Sequence, residues 1–302
     1  SSAASDVYKR QANARNQIVE EACRILRRCV DPYGPAQTQT GLAMGYVQSG
    51  KTTSFTTLTA LARDNGYRLV IVIAGTTEIL FRQNRERIID SLHVESRPRS
   101  TPWRHITQPH LRNNSHIQIR DTLSQWDVPN SLPEERRTVL VTVMKHHQHL
   151  QNLIHVLQHV SLQGVPTLLI DDEGDQAGLN TQVNQGDEST TYRRLLDLKS
   201  LLPLHSYLQY TATPQAPLLI NLVDVLSPTF AEILTPGAGY VGGADFFLRN
   251  RNLVRDIPAA QVPTNRNVLN APPATLTEAM QLFYVGVAIG YINGVPEQNC
   301  SM

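Results

Sequence analysis

Lysine is nearly missing from this chain. Of 27 basic residues among 302, only Lys9, Lys51, Lys145 and Lys199 are lysines, so the place of each lysine carries weight. Cysteine is as sparse. Cys23, Cys29 and Cys300 form no CxxC spacing, which argues against a disulfide framework or a cysteine zinc module and for a reduced, cytoplasmic setting. Charge of one sign is not in excess, at net +1, so contact with a polyanion would have to come from a local patch. The longest strongly apolar run, LVIVIAG at 69–75, falls well short of the roughly 20 residues of a membrane helix, and no membrane partner is expected. Repeats and low-complexity tracts are lacking too. What remains is an ordinary globular composition, 41% hydrophobic and 18% charged, at a length that suits about two domains or one large α/β domain.

One of the four lysines stands in GYVQSGKTTS, residues 45–54. Gly45, Gly50, Lys51 and Thr52 match G-x-x-x-x-G-K-[ST], a spacing with a physical demand behind it. Glycines let successive N–H groups turn inward onto phosphate oxygens, the lysine neutralises their charge, and the hydroxyl reaches Mg2+. Gln48, Ser49 and Thr53 complete the loop. With 17 glycines and four lysines in the chain, a chance match is expected about two times in a thousand.

The surrounding pattern alternates strands and helices. Residues 12–31 carry apolar positions at helical spacing. DPYGPAQTQTG reads as a loop, and GLAMGYV as a short strand running into the phosphate loop. A helix follows to about Asp64, closed by Asn65-Gly66. YRLVIVIAG is a β-branched run suited to a strand covered on both faces. Then come a helix (EILFRQNRERIIDSL), a polar insertion at 93–137 with no assigned structure, and a strand at 138–144. A helix at 146–160, a strand at 166–173, a helix at 191–202 and a strand at 205–213 follow. Such βαβ alternation predicts an α/β fold with a parallel sheet flanked by helices. Composition changes after Pro214, and a domain boundary is expected near 225. The domain of 12–225 is then followed by the start of a second, truncated region at 226–302, with a hydrophobic helix at 276–292. The opening SSAASDVYKRQ resembles a translated sequencing-adapter string, so residues 1–11 are read as a non-native tail, and the chain as a piece of a longer protein.

A second acidic station, TLLIDDEGDQAG, ends an apolar strand in Asp171, Asp172, Glu173 and Asp175. At a strand end beside a phosphate loop, one carboxylate can hold Mg2+ while its neighbour orients water. Asp172 is assigned to the metal and Glu173 to the water, with Asp171 as the register alternative. A third station, YTATP, puts Thr211 and Thr213 at another strand end, where their hydroxyls can bond the acidic loop and report the γ-phosphate state. Each alone has an ordinary reading, an acidic loop and a proline turn.

The order GYVQSGKT, VIVIAGTTEILFRQ, VTVMKHHQHL, LLIDDEGDQAG, YTATP resembles the first RecA-like, P-loop motor domain of superfamily-two helicases. More narrowly, VQSGKT, DDEGDQA, YTATP, SPTFAEILTPGAGYVGGADFF and the terminal CSM are similar to the helicase-like region of the Z-one-domain family. Those bacterial proteins occur with DNA-modification, repair and phage-defence systems, and their endonuclease label is itself inferred. The resemblance implies ATP and Mg2+ as cofactors and ATP hydrolysis coupled to DNA translocation or remodelling. It also implies DNA, the C-terminal part of the same chain and other DNA-modification or defence proteins as partners. Superfamily-two motors complete the site with an arginine from a second RecA-like domain, so slow turnover by this chain alone is expected. Alternatives are an ATP-gated assembly switch in a defence complex that moves no DNA, and a small-molecule kinase, which DDEGD and TAT argue against.

Lesser features have two readings each. Thr76, Arg82 and Gln83 follow a strand where related motors touch nucleic-acid backbone, or they cap and coat a helix. Arg85, Arg87, Arg97, Arg99 and Arg104 would add a phosphate-tracking patch beside Trp103. Gln37 and Gln39 would read adenine, or line an ordinary loop. His155 and His159, four apart, lack a third ligand and read as a solvated helix face rather than a metal site.

Overall fold

In the computed structural model, residues 15–46, 50–95, 101–129, 132, 136–173, 190–213, 226–237, 240–264 and 267–294 are described. The chain divides into two compact units, Ser1–Tyr240 and Val241–Met302.

The first unit is built on seven strands, β1 (Thr38–Met44), β2 (Leu69–Ile73), β3 (Trp103–Thr107), β4 (Thr138–Val143), β5 (Thr167–Asp172), β6 (His205–Thr211) and β7 (Phe230–Ile233). Their spatial order is β3-β4-β2-β5-β6-β1-β7, and every pairing is parallel. The intervening helices are α1 (15–26), α2 (Lys51–Asp64), α3 (Glu78–Ser91), α4 (Ser115–Leu123), α5 (His147–Leu157) and α6 (Thr190–Ser200). The expected α/β class, a parallel sheet flanked by helices, is the one adopted.

Period-two alternation divides the core. Leu69, Ile71, Ile73, Val139, Val141 and Leu169 turn toward α4, α5 and α6, against Ile119, Leu153 and Leu195. Val70, Val72, Leu140, Leu168 and Ile170 turn the other way, toward α1, α2 and α3, against Ile25, Phe55 and Ile88. A strand covered on both faces gains by being apolar at every position, which is why LVIVI and TVLVTV show no polar alternation and are buried throughout.

Three departures from the expected organisation have local causes. The polar segment 93–137 is no mere insertion. It supplies edge strand β3, paired to β4 in register Trp103↔Thr138 to Thr107↔Thr142, and α4; its sparse apolar residues suffice because an edge strand has one neighbour. The phosphate-loop strand starts at Thr38, inside the stretch expected to be loop, because β6 offers partners from His205 onward. The first unit also runs past 225, since β7 pairs with β1. Gly41 permits that pairing: a Cβ there would run into the Phe230 ring.

Gly75 marks the turn from β2 into α3. Its φ of +66° suits glycine, and a Cβ would come within 2.6 Å of the Phe81 backbone nitrogen. Thr77 then caps α3, its side chain accepting the Leu80 N–H.

In the second unit, a π-helical turn (Ala244–Arg249) and short 3-10 turns precede α7 (Ala274–Ile292). Leu276, Leu282, Tyr284, Val285 and Ile289 of α7 are exposed. Among the described residues, no helix is long and apolar enough to cross a membrane.

Candidate nucleotide-binding site

The C-terminal ends of β1, β6 and β5 lie side by side, with β6 between the other two. Chain connections therefore bring GKT, YTAT and DDE to one edge of the sheet, where ligands of open α/β folds bind.

From β1, Gly45 leads into the loop, its N–H donating to the Thr211 carbonyl at 3.0 Å. Gln48 and Ser49 lie outside the described residues. Gly50 then takes φ +92°, a left-handed conformation that favours glycine, and α2 begins at Lys51. Among the described residues no side chain caps this helix, and no acidic residue stands in its first turn. Its first N–H groups, with their partial positive charge, are left for an anion. Lys51 Nζ reaches back to the Tyr46 carbonyl at 3.4 Å, a long contact that leaves the ammonium ready for a stronger acceptor. Thr52 is half-buried beside it and Thr53 is exposed.

Strand alternation separates the two aspartates. Asp171 follows Leu169 onto the α4–α6 face, where Lys145 Nζ lies 2.9 Å from Oδ1 and Tyr207 donates its hydroxyl to Oδ2 at 2.6 Å. Asp172 follows Ile170 onto the face of α2 and α3, and its Oδ2 accepts from Asn84 Nδ2 of α3 at 3.0 Å. Lys51 and Asp172 thus act on the same face. Burial pushes the Asp172 carboxyl up to about 6, helped by the negative charges of Glu173 and Asp171 and opposed by Lys51 and Lys145. A buried carboxylate short of positive charge is suited to a cation. Glu173 ends the strand at φ +64°, a sparsely populated conformation for a residue with a side chain.

On β6, Thr211 is buried and its hydroxyl accepts the Thr213 N–H at 2.9 Å. Together with the Gly45 bond, this ties the TAT segment to the start of the phosphate loop. Asp175 lies outside the described residues. Beside the loop, a cavity of about 210 Å³ is lined by Gln17, Glu21, Gly50, Lys51, Thr53 and Leu234, among others. Glu21, buried on α1, accepts the Thr235 N–H at 3.0 Å.

Several lesser expectations are corrected. Gln37 and Gln39 sit at the start of β1, and the Gln37 carbonyl accepts the His205 N–H. At about 3.3 Å per residue this is the far end of the sheet, so neither reaches a nucleotide at Gly50. Trp103 is buried in the core and cannot stack on a base, and Arg104 is bound to Gln118 Oε1 at 2.8 Å. Arg97 and Arg99 lie outside the described residues. Arg82 and Gln83 are exposed on α3 and Thr76 is half-buried before it. His155 and His159 face solvent, the His159 ring bonded to the His155 carbonyl, and among the described residues no cluster of three metal-ligating side chains occurs. Sequence reasoning missed Asn84, Lys145 and Tyr207. Only the scarcity of lysine hinted at one of them.

A buried histidine, His205, and a half-buried one, His105, give the first unit a pH signature. Burial pulls His205 and His105 down to about 4, with the charge of Lys199 and Arg85 respectively in the same sense. Their neutral forms belong to the fold, so this stability is complete above the ordinary value of 6.5 and is lost as pH falls through about 4. Asp172 works oppositely, since its folded carboxyl takes up a proton near 6, above its unfolded value. Between pH 7 and 5, His205 withdraws about 2 kcal/mol and Asp172 returns about 1. With His105 on the side of His205, urea titrations should show a net loss of stability at pH 5. A more stable chain at pH 5 contradicts this.

No protein-family model matches the chain, and no curated protein does. Among solved structures it is similar to the Hef helicase domain of Pyrococcus furiosus. The identity is 14% over 70% of this chain and 38% of that one, with a TM-score of 0.41. The chain thus spans 38% of the length of that structure.

Proposed function

We propose that this chain is the ATP-binding motor domain of a helicase-like ATPase whose hydrolysis is coupled to translocation or remodelling of DNA. One observation carries the reading: Lys51, at the N-terminus of α2, and Asp172 act on the same face of a parallel sheet, with the end of β6 between their strands. The donor set fits a nucleotide triphosphate with its metal. Gly45, Gly50, Lys51 and Thr53, with Gln48 and Ser49, hold the phosphates, and the cavity beside them takes the nucleoside. Thr52 and Asp172 would hold Mg2+, which would supply charge neutralisation at the phosphates. Glu173 orients the attacking water and accepts its proton. Asn84 holds one oxygen of Asp172, leaving the other for the metal's shell. Thr211, whose carbonyl accepts from Gly45, and Thr213, whose N–H donates to the Thr211 hydroxyl, carry the state of the loop into β6, and Asp175 belongs to the same coupling. Thr76, Arg82 and Gln83 offer a surface to the DNA backbone at the same sheet edge.

The resemblance of its motifs to Z-one-domain proteins favours a role in bacterial DNA modification, repair or phage defence, in the cytoplasm. Turnover by the 302-residue chain alone is slow in this reading, because an arginine from a second motor domain is worth orders of magnitude in rate. The test is ATP turnover by the chain and by a version extended past Met302, with and without single-stranded and duplex DNA. At least about tenfold stimulation by DNA is expected in the extended protein. Lys51-dependent ATP binding without any DNA response would replace this reading with the ATP-gated assembly switch.

A further inference from the structure

We infer that Lys145 is a positioning residue for Glu173, acting by holding the backbone that aims the water-orienting carboxylate. The inference rests on the hydrolytic reading of Glu173 given above. Lys145 lies just past β4, and its ammonium crosses the end of β2 to reach β5. There it meets Asp171 Oδ1 at 2.9 Å, Asp171 Oδ2 at 3.1 Å and the Glu173 carbonyl at 3.0 Å. The ammonium donates to Asp171 Oδ2 and to the Glu173 carbonyl, with Asp171 Oδ1 in ion-pair contact. An arginine fork, planar and rigid, could not gather them from one point, although arginine is this chain's usual base.

Stability alone does not account for the arrangement. The side chains of Lys145 and Asp171 are both 0% exposed, and a buried ion pair is often no more stabilising than well-packed apolar residues of similar size. The pair does something apolar residues cannot, which is to donate to the carbonyl of Glu173. That residue sits at φ +64°, a conformation that persists in a residue with a side chain only where its surroundings hold it. The anchor is itself braced. Tyr207 donates to Asp171, and Lys199 Nζ lies 4.7 Å from the centre of the Tyr207 ring while bonding Thr40 Oγ1 at 3.1 Å. Asp171, one residue from the proposed metal ligand, thus serves to seat Lys145.

The test removes both charges at once, so that no lone buried charge is left to unfold the chain. In Lys145→Met/Asp171→Asn, the asparagine carbonyl still accepts from Tyr207, but the donation from residue 145 to the Glu173 carbonyl is gone. Mg-ATP binding within about threefold of wild type is expected, with single-turnover hydrolysis at least about thirtyfold slower. In the nucleotide-free chain, amide exchange of the peptide covering 167–173 should rise by about tenfold. Because Lys145 acts through Glu173, the pair should cost less than about threefold more when added to Glu173→Gln. Hydrolysis within threefold of wild type overturns the inference, and so does a full additional loss on top of Glu173→Gln. If the double variant does not fold, Lys145→Gln/Asp171→Asn, which keeps a polar pair too short to reach Glu173, meets the same criteria. If wild type itself neither binds nor hydrolyses ATP, the motor reading fails, while amide exchange still decides whether Lys145 holds Glu173.

Discussion

Glu173→Gln is expected to slow ATP hydrolysis by about 10²- to 10⁴-fold while leaving Mg-ATP affinity within a factor of about three. The argument begins from the strand. Asp171 is spent on Lys145 and Tyr207, and Asp172 faces α2 and α3 with one oxygen on Asn84. Glu173 is the next carboxylate along the chain, and the left-handed turn at its own Cα takes it out of the strand's alternation. A glutamine there preserves size and backbone while removing the negative charge and the basicity that water activation requires. Binding should survive, because the phosphate contacts come from the loop and α2, on other elements. It should even tighten slightly, since Glu173 is a negative charge near a bound polyanion. Rapid-quench measurement of one turnover separates the two effects. Unchanged turnover in Glu173→Gln removes this residue from the chemistry, and with it the reason given for Lys145.

Much of this architecture was legible because each strand needs two apolar faces. LVIVI, TVLVTV and the run before DDE declared themselves by β-branched continuity, and the glycines of the loop by their spacing. β3 was not legible: WRHIT has few apolar residues, and it forms a strand only because β4 presents an open edge. The acidic station was legible as a cluster but not as a division of labour. Which aspartate faces which layer depends on the register of β5 against its neighbours, and no single-sequence pattern fixes that when three carboxylates are consecutive. Asn84 and Lys145 were hidden for another reason. Their roles arise between elements distant in the chain, with Lys145 reaching across a whole strand, and a helix-face asparagine or a strand-end lysine has many ordinary explanations. The adenine reading of Gln37 and Gln39 failed because β1 is longer than GLAMGYV suggested, which carries those residues to the opposite end of the sheet.

Lys51→Ala should lower Mg-ATP affinity about 100-fold or more, the largest binding effect expected of any single change here. The side chain makes one long contact in the free protein, 3.4 Å to the Tyr46 carbonyl, and no ion pair among the described residues involves it. Its removal should therefore shift unfolding by no more than about 0.5 kcal/mol. In the bound state the same ammonium would make charge-assisted bonds to phosphate oxygens, each worth about 1.5–3 kcal/mol. Losing them corresponds to roughly two orders of magnitude in Kd. The N–H groups at the start of α2 remain in the variant, so some affinity for the triphosphate should persist. Lys51→Arg is not expected to rescue it, because the planar guanidinium is longer and cannot sit in the turn that Gly50 makes. Isothermal titration of Mg-ATP into wild type and Lys51→Ala, with urea unfolding as the control, reads both quantities. A variant that binds as tightly as wild type would mean that GYVQSGKT holds no phosphates, and the functional reading of this sheet edge would fall with it.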